Sequence, residues 1–241
     1  MTVSIVSHGQ IELIKPLLEQ LARLCSAEVE RVVLTINRTE IIGELPAASY
    51  ALHLIHNNHP KGFGANHNAA FAAHGGSPWF LVLNPDIRLS SNVLAPLLAH
   101  ARPDAGLLAP RVFEPGKTTP EAHRGLLTPL EILNRRKPGY PTPTNPAWLP
   151  GLFMLFRSTA YREVGGFDDR YFMYGEDFDI SARLRLAGKR IQICEQLQVE
   201  HDARRASHAD HSHLRWHMTS LVRLWTSSAF WRYRALLRAG G

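Results

Sequence analysis

The sequence predicts an α/β domain, with a largely parallel sheet covered by helices. Short β-branched or aromatic runs alternate with helix-period segments, and the alternation repeats as strand then helix up to residue 113. A 241-residue chain with 45% hydrophobic residues also suits one core of ordinary size, with a C-terminal appendage, rather than two independent cores.

In order, residues 2–7 read as the first strand, and Ile14, Leu17, Leu18, Leu21 and Leu24 fall at helical spacing. Residues 32–37 and 52–56 read as two strands, 64–73 as a helix, and 79–84 as a strand ending at Asn84, Pro85 and Asp86. A helix over 93–101 and a strand over 106–113 follow. Residues 114–146 are rich in proline, threonine, arginine and lysine without sustained period, so a long loop is expected. Order resumes with an apolar run at 148–156, then a turn at 165–172. A helix over 176–187 is stopped by Gly188, and short strands lie near Ile191 and Gln198. One last helix is expected over about 209–237.

Composition narrows the function. Cys25 and Cys194, each in an apolar segment, fit two buried thiols and a reducing compartment. The N-terminus lacks a signal-peptide pattern and no run of about 18 uncharged apolar residues occurs, so a cytoplasmic protein is expected. From His201 onward seven arginines face two aspartates, which puts +5 of the formal +6 in the last 41 residues. Such a tail attracts anionic surfaces. Leu214, Met218, Leu221, Val222 and Trp225 share a helical face, giving a basic amphipathic helix suited to the inner face of a membrane; the alternative is a terminal helix packed on protein. The arginines come without a base-stacking platform, so nucleic acid is not an expected partner.

Four stretches could carry chemistry. Gly62 and Gly64 precede Asn66 and Asn68 at a helix start, where backbone can approach a phosphate; a plain strand-to-helix turn is the alternative. A dinucleotide fingerprint does not fit, because its third glycine falls at His67. Asn84 and Asp86 sit at a strand's carboxyl end, where a carboxylate can hold magnesium or manganese, or simply form a turn. Glu176 and Asp177 open a helix amid Phe172, Tyr174 and Phe178: a partly desolvated acid suits a general base, whereas helix-dipole pairing is the plain account. His201 ends a strand and can complete a metal site, as can packing explain it; His208, His211, His213 and His217 fit solvated or packing roles, and the His211/His213 spacing is a weak zinc signal.

Taken together, VSIVSHG, GFGANHNAAF, LVLNPDIRL, GLFMLFR, VGGFDDRYFMYGEDFDISARLRLAG and VEH resemble the family 2 glycosyltransferases, particularly their rhamnosyltransferase-like bacterial branch. The resemblance implies a GT-A fold over residues 1–201, with a nucleotide-sugar-binding half at 1–113, an acceptor-binding half at 114–201 and a basic helical tail at 202–241. It implies an inverting, metal-dependent hexosyltransferase of polysaccharide synthesis. The expected donor is a dTDP- or UDP-sugar, the acceptor a glycan or a polyprenyl-pyrophosphate-linked sugar, and the cofactor Mg2+ or Mn2+. By the same resemblance Asp177 matches the base, Glu176 its neighbour at the acceptor, and Asp86 the last acid of the DxD-type metal motif, with Asn84 replacing the first. His201 completes the metal shell. Ser7, Asn37, Gly62, Phe63, Gly64, Asn66 and Asn68 line the nucleotide sugar. The first strand departs from the family's TYN-like ending with Ser7, His8 and Gly9, and the second has Asn37 and Arg38 where Asp-Asn is common. A catalytically silent sugar-nucleotide binder or assembly subunit on the same fold is the alternative reading.

Overall fold

The structure, a computed structural model, describes residues 1–135, 137, 139–140, 143, 145–202 and 211–239, without the side chains of 211 and 212. His208 and the His211 side chain, hence the His211/His213 pair, lie outside the described residues. The elements in chain order are β1 (Thr2–Ser7), α1 (Ile11–Leu24), β2 (Arg31–Ile36), β3 (Ala51–His56), α2 (Phe63–His74), β4 (Trp79–Leu83), β5 (Ile87–Arg88) and α3 (Leu94–Ala99). Then come β6 (Ala105–Phe113), α4 (Pro129–Asn134), β7 (Phe153–Arg157), α5 (Ser158–Glu163), α6 (Glu176–Leu186), β8 (Arg190–His201), α7 (His211–Thr226) and α8 (Ser228–Ala239).

The eight strands form one sheet in the order β3-β2-β1-β4-β7-β6-β8-β5. β1 pairs in parallel with both β2 and β4, so the winding reverses there and a crevice opens at their carboxyl ends. β7 enters antiparallel between β4 and β6, and β5 pairs antiparallel with the end of β8, so the sheet is mixed. One face is sealed by α1 through Leu17, Leu18 and Leu21 against Val3, Ile5 and Leu81. The other is sealed by Phe80, Met154, Phe156, Tyr161 and Ile180.

Four local expectations change. Inside the expected long loop, Thr128 accepts the Glu131 N–H at 3.1 Å and Pro129 takes the first helical position, which together start α4. The two strands expected near Ile191 and Gln198 are one strand, β8. Its register slips between Cys194 opposite Pro110 and Gln198 opposite Arg111, at a proline that cannot donate to the ladder. β5 and α5 are too short for any periodicity to announce them. The expected single tail helix is two, because the Ser227 hydroxyl caps a new helix by accepting the Phe230 N–H at 3.1 Å. Leu224, Phe230 and Tyr233 bury themselves against Trp148 and Phe178, so α7 and α8 pack on the domain. Of the expected apolar face of α7, Leu214, Met218 and Val222 stay exposed.

Candidate active site

The carboxyl ends of β1 and β2 are tied into a polar corner. The Asn37 N–H donates to the Ser7 carbonyl at 2.8 Å, and the Ser7 hydroxyl accepts the Gln10 N–H at 3.1 Å. The Asn37 side chain donates to the Lys61 carbonyl at 3.0 Å and accepts from the Lys61 N–H and the Asn57 amide, both at 2.8 Å. Asn57 also donates to Asn66 at 2.6 Å, and Asn66 donates to the Gly62 carbonyl at 3.0 Å. A loop rich in asparagine can fold this way because each amide supplies both donors and an acceptor.

Next to that corner, α2 approaches the chain around residue 172 closely. The Phe63 N–H donates to the Phe172 carbonyl at 2.9 Å. A Cβ at Gly62 would stand 2.7 Å from that carbonyl oxygen, and one at Gly64 2.5 Å from the Phe167 Cβ. Glycine is needed at both for contact rather than for backbone angle. Asn68 faces elsewhere: it accepts from the Tyr161 hydroxyl at 2.6 Å and the Phe167 N–H at 2.9 Å, and donates to the Phe167 carbonyl at 2.8 Å.

Asp86 and His201 meet. β5 pairs with β8 so that Ile87 lies opposite His201, and the Asp86 carbonyl accepts the Asp202 N–H at 2.9 Å. Side chain to side chain, Asp86 Oδ2 is 3.2 Å from His201 Nε2, while Asn84 donates to Asp86 Oδ1 at 3.1 Å. On the imidazole's other side Glu121 Oε1 lies 3.6 Å from Nδ1. Burial disfavours the imidazolium, but the carboxylates of Asp86 and Glu121 outweigh it and pull His201 up to about 9. Held this way the imidazole keeps its proton, and a metal ion sharing Asp86 and Nε2 would have to displace it. Among the described residues no group of three or more His, Cys, Asp or Glu side chains converges to hold a metal, so other oxygens, such as those of a diphosphate, would have to complete a shell.

At the start of α6, Tyr174 and Gly175 have φ of +70° and +87° and reverse the chain, so that Glu176 and Asp177 enter the first turn without a side-chain cap. Asp177 accepts the Phe178 N–H at 2.8 Å and the Gly151 N–H at 3.3 Å. Burial raises its carboxyl above the ordinary range despite these bonds. Glu176 is buried and its Oε2 has no hydrogen-bond partner; burial, with the Asp177 charge added, pushes it well above the usual carboxylate value. Gly151 and Leu152 join this acid to the Asp86 arm, because the Leu152 carbonyl accepts the Asn84 N–H at 2.9 Å.

Asp177 opens onto a pocket of about 460 Å³ lined by Trp148, Pro150, Leu214, Met218 and Leu221, with Arg124 at its edge. Glu121 and Arg124 were missed from the sequence, since they sit in the unpatterned stretch 114–146 and no periodicity or motif marks them. Arg124 donates to Glu121 at 3.1 Å and lies 5.1 Å over the Trp148 ring, spanning from the His201 side to the pocket.

A family model described as glycosyl transferase family group 2 matches residues 79–241. Rhamnosyltransferase WbbL of Escherichia coli (strain K12) is 27% identical over 241 residues, covering 92% of this chain and 90% of that protein. An N-acetylglucosaminyl-diphospho-decaprenol L-rhamnosyltransferase of Mycobacterium tuberculosis is 34% identical over 140 residues, 48% of this chain and 46% of that protein, so the chain spans about half the length of this relative. Among solved structures, residues 1–349 of S. aureus TarS with UDP-GlcNAc align with a TM-score of 0.66 at 14% identity, covering 94% of this chain and 67% of that one. GalNAc-T7 with UDP, GalNAc and Mn2+ aligns at 0.64 with 17% identity, covering 84% and 44%. These likenesses give the GT-A fold, and the family match, over more than half of the sequence, gives the lineage: the chain belongs to glycosyl transferase family group 2.

Proposed function

We propose that the protein transfers a sugar from a nucleotide-diphosphate donor to an acceptor hydroxyl, with inversion and with Asp177 as general base. The observation that carries this reading is the Gly151–Leu152 pair, whose backbone bonds Asp177 on one side and, through Asn84, the Asp86–His201 arm on the other. Asp177 accepts the proton as the acceptor oxygen attacks the anomeric carbon opposite the leaving diphosphate, and its raised pKa makes it a stronger base than an exposed aspartate. Asp86 and His201 fit Mg2+ or Mn2+, which when bound neutralises charge on the departing diphosphate. Asn84 fixes one Asp86 oxygen, and Glu121 faces the His201 nitrogen remote from Asp86, the arrangement that orients a ligating imidazole. Glu176, buried next to Asp177 in the first turn of α6, is the acid that the family resemblance sets near the acceptor.

Ser7, Asn37, Gly62 and Asn66 belong to the polar corner at the ends of β1 and β2, with Phe63 and Gly64 next to them in α2, which supports residues 1–113 as the donor half and 114–201 as the acceptor half. Asn68, with its amide turned to the 167 turn, shapes the donor site from behind. The two rhamnosyltransferase relatives favour rhamnose as the sugar and, in the mycobacterial case, a sugar on a polyprenyl diphosphate as acceptor; the family resemblance puts it on dTDP, with UDP-sugars next. The largely apolar pocket beside Asp177 suits such an acceptor, and the exposed apolar and basic residues of α7 and α8 suit a peripheral position on the inner face of the cytoplasmic membrane.

The test is release of nucleotide diphosphate with metal and acceptor both present. Asp177→Asn should lower the rate at least about a hundredfold while the chain still unfolds in one cooperative transition. Turnover persisting in that variant removes Asp177 as base. Donor binding without consumption by any acceptor would instead favour a silent binding subunit.

A further inference from the structure

α7 grips the segment ahead of α6 at three successive residues. The Phe172 ring lies 4.8 Å from that of Trp216. The Met173 carbonyl accepts the Ser220 hydroxyl at 2.8 Å. The Tyr174 ring stacks on His217 at 3.6 Å and 7°, and its hydroxyl shares a hydrogen bond with His213 Nδ1 at 2.7 Å. At its other end the segment is tied to the start of α2, through the Phe63 N–H and the Phe172 carbonyl.

Tyr174 is the one non-glycine residue with positive φ among the described residues. An L side chain at +70° is strained and relaxes to negative φ unless its surroundings hold it. That rotation would swing the Gly175 peptide and the first turn of α6, which carries Asp177. The restraints on the Tyr174 side chain come from α7, and α7 is also the outer wall of the pocket through Leu214, Met218 and Leu221.

We propose that Tyr174 is a positioning residue: His217 and His213 hold it in the left-handed conformation that aims Asp177 into the acceptor pocket, which makes α7 part of the acceptor site rather than a separable anchor. This rests on reading Asp177 as the base. It explains why an otherwise expensive tyrosine stands where glycine would cost nothing. The ring transmits the position of α7, and thus of the pocket wall, to the base.

The experiment uses the full chain with dTDP-rhamnose, Mn2+ and phytanyl-pyrophosphoryl-N-acetylglucosamine, comparing His217→Ala with His217→Phe, which keeps a stacking ring. His217→Ala should raise the acceptor KM about tenfold or more, as misplacement of a reacting group does. It should also speed amide hydrogen exchange across residues 172–178, while dTDP affinity by calorimetry stays within about twofold. His217→Phe should restore both acceptor KM and exchange protection. The proposal is overturned if His217→Ala changes neither exchange nor acceptor KM, or if His217→Phe is as impaired as His217→Ala. Should the native chain transfer nothing to this acceptor, the choice of donor and acceptor fails, and the exchange comparison alone decides whether α7 holds Tyr174.

Discussion

Glu176 is an acid buried at the start of α6. Its Oε2 is buried without a partner, and burial together with the neighbouring Asp177 charge raises its pKa well above the ordinary value. An acid with a raised folded-state pKa adds stability below its unfolded pKa, near 4.3, and that contribution is lost as pH rises toward the folded value. Glu176→Gln, which cannot ionise, should therefore melt a few degrees higher than the native protein at pH 8 and at nearly the same temperature at pH 4. A loss of stability at pH 8 that fades at pH 4, followed by calorimetry, would mean that the carboxylate has a stabilising partner. The motif around this residue was legible because an acid-rich helix start amid aromatics is rare in solvated surface. Glu121 was not legible, since a glutamate between Pro120 and Ala122 in a proline-rich stretch acquires its meaning only when the chain returns to face His201.

Among the elements, α2 depends on two glycines for its close approach to the turn before α6. Gly62 and Gly64 precede two asparagines at the start of α2, and a Cβ at either would collide with the segment 167–172. Gly64→Ala would put a methyl group 2.5 Å from the Phe167 Cβ, in a layer where Phe63, Phe156 and Tyr161 leave that ring little room. The expected cost is about 1–3 kcal/mol by urea denaturation, the range for an overpacked core. A neutral outcome would show that α2 can slide away from the turn. α1 could be read directly from its helical spacing, β1 and β2 from their apolar runs, and α6 from its acidic start and the stop at Gly188. Elements governed by a single local atom could not: α4 depends on the Thr128 hydroxyl, the α7/α8 break on that of Ser227, and the slip in β8 on the missing N–H of Pro110.

For the molecule as a whole, charge and apolar exposure coincide at the C-terminal end. Arg215, Arg223, Arg232, Arg234 and Arg238 share α7 and α8 with exposed Leu214, Met218, Val222, Trp231, Leu236 and Leu237. No helix among the described residues is long and apolar enough to cross a membrane, so any attachment through them must be interfacial. The inner ends of the same helices are committed to the domain through Leu224, Phe230 and Tyr233, which fixes the exposed side as a surface rather than a free tail. Each arginine near an anionic bilayer contributes about 1 kcal/mol, and that attraction is screened within a Debye length. The full chain should therefore sediment with phosphatidylglycerol vesicles at low ionic strength, should not do so with phosphatidylcholine alone, and should release as salt approaches about 0.5 M. Replacing Trp231, Leu236 and Leu237 with serine, none of which lines the pocket beside Asp177, should weaken this binding while the acceptor KM in detergent holds. Binding that ignores both lipid charge and salt would assign the arginines to some other partner, and no binding at all would leave this surface to protein contacts.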